Sequence, residues 1–354
     1  MSAADPVVIV SYARTPMGGF QGALGGVKAT ELGATAVKAA IERAGVAGDK
    51  VEQIIMGCAA LGAGLPLSVE ATTVNKMCGS GMQAAIMAHD ALKAGTVDLV
   101  VAGGMESMTG APYLMAKHRA GARIGHDQIW DSMYLDGLED AYTPGKLMGA
   151  FAEDTAAQYQ FTREAMDDYA TKGLAKAKAA IQGGAFKGEI APVTVQTRKG
   201  TEVVDTDEQP LKADPAKIPT LRPAFARDGG ITAANSSSIS DGAAALVMTR
   251  ESVAKAMGLP IVARVVGHAA HAHEPGLFTT APVPAMRKAL KKAGWSVEDV
   301  DLFEVNEAFA VVAMIAQQEL GIPEEKLNAR GGKKGLASLC IGGGEATAMA
   351  VELV

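Results

Sequence analysis

A cysteine stands at position 78 within the run Asn75-Lys76-Met77-Cys78-Gly79-Ser80-Gly81, where a turn leads into a stretch carrying Ala84, Ala85, Ile86, Ala88, Ala91 and Leu92. A stretch apolar on nearly all sides predicts a helix buried in the middle of a domain. The unpaired N–H groups and partial positive charge of such a helix start favour a thiolate, and any oxyanion formed beside it. An effect of about 0.3 to 1 kcal/mol moves a thiol pKa by less than about one unit, so a nucleophile at Cys78 still needs a base. Gly79 and Gly81 are expected to leave open space beside the sulfur for a planar acyl group. Taken alone, Cys78 also reads as a buried structural cysteine, and what decides between the two lies near the other end of the chain.

The surroundings of that cysteine are bounded by composition. The 354 residues suffice for two domains, or one large domain with an insertion. Hydrophobic residues make up 48% and aromatic residues only 5%, with 41 glycines. That balance points to tight helix-on-sheet packing of an α/β enzyme rather than an all-β module. Lys and Arg total 33 against 39 Asp and Glu, a mild acidity that argues against a nucleic-acid partner. No run of about 18 uninterrupted apolar residues occurs, which argues against a membrane span, and Met1 to Pro6 lacks signal-peptide character. A cytoplasmic protein is expected. Three cysteines, Cys58, Cys78 and Cys340, show no metal-ligand spacing, so free thiols are expected, and neither a metal site nor a nicotinamide site is evident.

Strand and helix patterns alternate up to Gly104. Pro6 to Val10 reads as a buried strand, Thr30 as the cap of a helix ending near Gly45, Val51 to Gly57 as a strand, and Val97 to Gly104 as a strand after the Cys78 helix. From Met105 to about Arg227 the pattern loosens, with helices expected over 152–159 and, capped by Thr162, 163–181, and a hairpin about Lys199-Gly200. Alternation resumes at Ala243 to Met248 and Ile261 to Val266.

An internal repeat organises these pieces. Ala40-Ile41-Glu42-Arg43-Ala44-Gly45 through Met56 matches Ala289-Leu290-Lys291-Lys292-Ala293-Gly294 through Val305 at a constant offset of 249. Gly64-Leu65-Pro66 is echoed by Gly321-Ile322-Pro323, and Val100 to Gly104 by Leu339 to Gly343. Two copies of one α/β unit therefore frame an insertion. The copies are unequal. The second has no room between Pro323 and Gly342 for a counterpart of the Cys78 helix, and the first is short between Gly57 and Gly64, where the second has Asn306 to Leu320. Losing a central helix would bare several hundred Å² of apolar sheet, on the order of 10 kcal/mol, which is comparable with a whole domain's stability. The complete polypeptide is therefore expected to exceed the 36.3 kDa of these residues by roughly forty residues.

With the repeat in place, five stretches in order make the chain resemble the thiolase family, of the acetyl-CoA acetyltransferase type. They are Asn75 to Gly81, Gly103-Gly104-Met105-Glu106-Ser107-Met108, Asn235-Ser236-Ser237 with Asp241-Gly242-Ala243, Asn306-Glu307-Ala308-Phe309, and Cys340 to Gly344. The resemblance covers essentially the whole chain. It implies an α/β thiolase fold, with two similar α/β halves packed as a layered αβαβα core and an inserted loop domain. Residues 1–109 and 231–259 would form the N-terminal half, 110–230 the insertion for coenzyme A binding and tetramerisation, and 260–354 the C-terminal half, lacking a segment near 332–333.

The resemblance also implies the chemistry. Cys78 takes the acyl group of an acyl-CoA as a covalent intermediate. Cys340 removes a proton from a second acetyl-CoA, a role a thiol suits because its ordinary pKa of about 8.5 lies closer to working pH than that of Ser or Tyr. The Cys78 and Gly342 backbone N–H groups would hold one oxyanion, and Asn306 through a water the other, although Asn306 also reads as a helix N-cap. Ser237, Ala233, Phe225, Leu138 and Met148 would contact the pantetheine arm, with Ala308 and Phe309 beside them, and Phe278 would narrow the acyl pocket towards short chains. Acetyl-CoA, acetoacetyl-CoA and CoA are the implied partners, with no cofactor beyond these thioesters. The segment His126 to Asp140 resembles the loop that joins dimers into homotetramers.

One departure stands out. The family carries a Gly-His-Pro stretch whose histidine activates the nucleophilic cysteine, whereas here Asn328-Ala329-Arg330-Gly331-Gly332 passes straight to Lys333-Lys334. None of His89, His118, His126, His268, His271 or His273 has a matching context, and His271 and His273 read as loop residues. Three rival readings remain. A degradative 3-ketoacyl-CoA thiolase would differ in chain-length preference, and a non-catalytic CoA-binding member of the fold would suit the missing histidine. A ketoacyl synthase would use two histidines and lack the Cys340 to Gly344 ending.

Overall fold

The structure, a computed structural model, describes residues 5–354. The chain opens with β1 (Val7–Arg14), β2 (Gly18–Gly19) and α1 (Ala29–Ala44), followed by β3 (Gln53–Ile55), β4 (Glu70–Thr72), α2 (Ser80–Ala94) and β5 (Leu99–Ser107). An insertion then holds β6 (Tyr113–Leu114), β7 (Trp130–Asp131), α3 (Met148–Gln158), α4 (Arg163–Gln182), the hairpin β8 (Val193–Thr197) and β9 (Gly200–Val204), and the short α5 (Glu208–Lys212). The second part comprises β10 (Ser240–Arg250), α6 (Glu251–Met257), β11 (Ala263–Ala272), α7 (Pro282–Ala293), β12 (Leu302–Val305), α8 (Ala310–Leu320), β13 (Lys334–Ile341) and β14 (Glu345–Leu353).

The strands run in the order β12-β13-β14-β11-β1-β10-β5-β3-β4, with β2 added beside β10. Two half-sheets meet where β1 and β11 lie antiparallel, and the seam is thin: Val8 faces Arg264 and Ile9 faces Ala263. The repeat maps onto this plan element by element. Strand β3 runs parallel to β5, and β12 parallel to β13. Helices α1 and α7 end alike, at Gly45 and Gly294, with φ of 68° and 70°. That left-handed position costs a glycine nothing and any other side chain about 1 kcal/mol.

The layers follow from where the apolar faces point. Helix α1 covers one face of the first half-sheet through Ala36, Val37, Ala40 and Ile41, packed with Val8, Val10, Val101 and Val247. Helices α7 and α8 cover the outer face of the second half-sheet through Met286, Leu290, Val311 and Ile315, packed with Leu336, Cys340 and Ala348. Between the sheets lies α2. Its Ala84, Ala85, Ile86, Ala88 and Leu92 pack with Val100 and Met248 from one half and Val265 and Met349 from the other. This gives helix, sheet, helix, sheet, helix.

Among the described residues α2 is the only helix of the central layer. Where the repeat calls for a partner helix, the chain goes from Arg330 through Gly331 and Gly332, at φ of 110° and 76°, directly into β13. Asp301 fixes that turn, its Oδ2 accepting from the Lys333 and Lys334 N–H groups at 2.8 and 2.9 Å. The bared sheet face is less apolar than expected. The inward positions of β13 are Gly335, Ala337 and Leu339, all half-buried, with Ile341 buried at the end. Gly335 and Ala337 present little side chain at the start of the strand.

Several local expectations are corrected. Thr30 lies inside α1, whose start is Lys28, and the Lys28 N–H donates to Glu31 Oε2 at 3.1 Å. Helix α8 begins at Ala310 with Phe309 as its cap, so Asn306 caps no helix. His271 belongs to β11, not a loop. The Thr162 cap of α4 and the hairpin about Lys199-Gly200 are as read from the sequence.

Candidate active site

Cys78 sits just before α2, with Gly79 as the helix cap. Its turn is clamped from both sides. Asn75 Oδ1 accepts from the Met77 N–H at 2.8 Å, while Ser80 Oγ accepts from the Lys76 N–H at 2.9 Å and donates to the Met77 carbonyl at 2.7 Å. These bonds hold Met77 at φ 46°, a left-handed conformation costly for a branchless but bulky side chain. The result is an exposed cysteine.

Cys340 is the last residue but one of β13, paired with Ala346 of β14 and 1% exposed. The two cysteine segments, one from each half of the repeat, meet. A Cβ on Gly79 would collide with Ile341 Cδ1, and one on Gly342 would lie 3.7 Å from Met77 Sδ. Lys76 forms an ion pair with Glu345, tying the Cys78 turn to the strand that follows the Cys340 loop. Nothing in the spacing of Lys76 and Glu345 announces that pair. The glycines next to Cys78 also serve the packing of this junction. The space beside Gly79 is taken by Ile341, and a Cβ on Gly81 would lie 3.5 Å from the Gly104 backbone nitrogen. They allow two loops and a helix start to close on one another.

Burial pushes the Cys340 thiol above its ordinary range, and the nearby Cys78 sulfur adds to the effect. Among the described residues neither the Cys78 nor the Gly342 backbone N–H is engaged by another backbone or side-chain acceptor. Gly344 completes the loop at φ 83°, where an added methyl group would collide with the carbonyl oxygens of His273 and Glu274. Gly344→Ala is therefore expected to cost about 2 to 4 kcal/mol of unfolding free energy in urea titration, from overpacking plus positive φ. An unchanged midpoint would mean the loop adapts.

The remaining expected site residues divide into two groups. Cys340, Phe278 and Phe309 share one buried cluster, against which Met148, Phe225 and Ala308 pack. Phe309 meets Phe225 and Phe278 edge-on, with centroids 6.0 and 6.4 Å apart. Met148 Sδ lies 3.4 Å from where a Gly342 Cβ would stand. Ser237 joins them through its N–H, which donates to the Ala308 carbonyl at 2.9 Å. Leu138 is half-buried one residue before the Glu139–Leu147 bridge that leads to Met148. Ala233 is exposed. A cavity of about 490 Å³ opens beside Phe225, lined by Pro144, Lys146, Leu147 and Ala150. A larger groove of about 810 Å³ between α1 and β8 contains no cysteine.

Asn306 is half-buried, its N–H donating to the Ser338 carbonyl at 3.0 Å, two residues before Cys340. Its neighbour Glu307 accepts from Tyr169 Oη at 2.8 Å and from Asn328 Nδ2, while Asn328 Oδ1 accepts from the Val305 N–H at 2.8 Å. This network fixes the Asn306 segment and was not legible in the sequence, because Tyr169 and Asn328 are remote from one another along the chain. Asn235 is likewise an anchor, its Nδ2 donating to Asp167 Oδ1 at 3.0 Å and its carbonyl accepting from the Ala310 N–H at 2.8 Å. Five of the six histidines are engaged elsewhere: His118 with Asp127, His271 with Lys288, His273 with the Leu277 carbonyl, and His89 with Asp90 and His268; His126 is exposed in the insertion.

Comparison with known proteins decides the family. Residues 7–252 match the family described as "Thiolase, N-terminal domain" and residues 259–333 that described as "Thiolase, C-terminal domain". The chain belongs to the thiolase family. Acetyl-CoA acetyltransferase of Pseudomonas aeruginosa is 41% identical over 386 residues, covering 97% of this thiolase chain and 98% of that protein. Acetyl-CoA acetyltransferase 2 of Arabidopsis thaliana is 44% identical over 392 residues, covering 98% and 97%. The crystal structure of the Bacillus anthracis acetyl-CoA acetyltransferase superposes with a TM-score of 0.95 at 36% identity, covering 100% of both chains. Alignments of 386 and 392 positions exceed the 354 residues of this thiolase, so the relatives carry residues without counterpart here. The C-terminal family match stops at Lys333, beside the Gly332–Lys333 junction where the repeat shows its deficit. No helix among the described residues is long and apolar enough to cross a membrane.

Proposed function

We propose that this protein is an acetyl-CoA C-acetyltransferase, catalysing the reversible Claisen condensation of two acetyl-CoA to acetoacetyl-CoA and CoA. The observation that carries the reading is the meeting of the Cys78 turn with the Cys340 to Gly344 loop, one cysteine from each half. Cys78 Sγ attacks the thioester carbonyl, the bond to CoA sulfur breaks, and CoA leaves as its thiol. Cys340 then takes a proton from the methyl carbon of the second acetyl-CoA. The carbanion attacks the Cys78 acyl carbon, the carbon–sulfur bond to Cys78 breaks, and acetoacetyl-CoA departs. The free Cys78 and Gly342 N–H groups are the donors we assign to the first oxyanion, and Asn306 through a water to the enolate, each donor worth about 3 to 4 kcal/mol where it meets developing charge. Phe278 and Phe309, both buried, favour an acetyl over a longer acyl group.

The reading needs no cofactor beyond the thioesters. A homotetramer goes with it. Support comes from the apolar residues left exposed in and beside the His126 to Asp140 segment, Ile124 and Ile129 among them, and light scattering measures the assembly. Three unpaired thiols fit a reducing compartment, which we take to be the cytoplasm.

The test is peptide mapping after incubation with labelled acetyl-CoA, on the chain as it stands and on a chain with the family's Gly-His-Pro segment restored. Acetyl is expected on the Cys78 peptide and absent in Cys78→Ala. Rates are expected to fall from acetoacetyl-CoA to longer 3-ketoacyl-CoA substrates. No acetyl at Cys78 in either form would end the proposal.

A further inference from the structure

Three turns along α2 from the Cys78 turn, three side chains converge that the chemistry above does not use. His89 Nδ1 and Asp90 Oδ1 are 2.9 Å apart, His268 Nε2 of β11 is 3.1 Å from His89 Nδ1, and His268 Nε2 is 2.9 Å from Asp90 Oδ1. The three atoms thus form a nearly equilateral triangle. Protons cannot satisfy all its sides. If each ring nitrogen gives its proton to the carboxylate, the two N–H groups confront one another across 3.1 Å. If one ring nitrogen is unprotonated, a neighbour loses its donor.

A cation resolves the conflict. We propose that His89, Asp90 and His268 bind a divalent transition ion, zinc being the best match, which fastens the central helix to the C-terminal half-sheet. An ion about 2.0 to 2.1 Å from each donor would stand roughly 1.1 Å above the plane of this triangle, as in a tetrahedral site with its fourth position open. Imidazole nitrogen paired with one carboxylate suits zinc, and the absence of sulfur or further carboxylates disfavours both softer and harder ions. Both rings are largely withdrawn from water, with side chains 14% and 15% exposed, while Asp90 at 61% leaves an entry path. Lys93, one turn on along the helix, donates to the Asp5 carbonyl at 2.9 Å. The spacing gave no hint, since His268 lies 179 residues from His89. The site lies about 16 Å along α2 from Cys78, too far to touch the reacting atoms. Its role is to hold together elements from the two halves of the repeat.

The test uses the full chain, stripped with a chelator and titrated with Co²⁺ as a spectroscopic probe and with Zn²⁺ in thermal melts. One equivalent of Co²⁺ is expected to give visible d–d bands without the near-ultraviolet thiolate band, and Zn²⁺ to raise Tm. His89→Gln and His268→Gln are each expected to weaken binding at least about tenfold. A thiolate band would assign the ion to cysteines and overturn the proposal. So would the absence of both visible bands and a Tm shift in the unsubstituted chain, a result that does not depend on the variants folding. Unchanged affinity in both histidine variants would overturn it as well.

Discussion

A segment bearing Gly-His-Pro, taken from an acetyl-CoA acetyltransferase relative and placed between Gly332 and Lys333, is expected to raise acetoacetyl-CoA formation by at least about 10²-fold. Two gaps close at once. The histidine would supply the base that Cys78 needs, since five of the six histidines are held by Asp127, Lys288, the Leu277 carbonyl and the His89–Asp90–His268 triangle, and the sixth, His126, is an exposed residue of the insertion. The helix expected to follow it would lie beside α2 and cover Gly335, Ala337 and Leu339. An insert with Ala in place of the histidine separates these effects, and it should recover stability without recovering rate. Equal rates with and without the insert would show that the 354-residue chain has its own base.

Cys340→Ala should leave Cys78 acylation intact and slow condensation by about 10² to 10⁴-fold, the usual worth of a positioned base. Trapping of labelled acetyl together with the steady-state rate measures both steps on one sample. The pH dependence has a definite sign. Burial, with Cys78 adjacent, holds the Cys340 thiol above its ordinary range, so it keeps its proton through neutral pH. In the proposed mechanism that proton is what the cleavage direction uses, to quench the carbanion of the departing acetyl-CoA. Condensation needs the thiolate, whose fraction rises about tenfold per pH unit below the pKa. Condensation should therefore climb with pH more steeply than cleavage, and the difference should vanish in Cys340→Ala. Parallel profiles would remove Cys340 from the proton step.

Much of the architecture was legible because the repeat is local and periodic. Gly45 and Gly294, the matching ends of α1 and α7, and the paired β3 and β12 all follow from it. Both places where one copy lacks a helix are free of α-helix in the fold. Boundaries were less legible. Thr30 resembles a cap in isolation, but Lys28 and Glu31 already close the helix start. Asn306 looks like a helix start only until one sees that it extends β12 and donates to Ser338. In the site, the cysteines and the aromatic cluster were readable from residue type and motif. What was not readable is what only tertiary contact creates: the Lys76–Glu345 pair, the Tyr169–Glu307–Asn328 network, the filling of the Gly79 space by Ile341, and the histidine triangle.

The narrow join between β1 and β11 has a consequence for catalysis. Two facing residue pairs make a weak hinge line, and the two sulfurs ride on opposite sides of it. Their separation therefore depends on how one half leans on the other as well as on the Lys76–Glu345 pair and the Gly79–Ile341 contact between the loops that bear them. Changes far from either sulfur, at Arg264 or along the α2 contacts with Val265 and Met349, can tune turnover by tilting one half against the other.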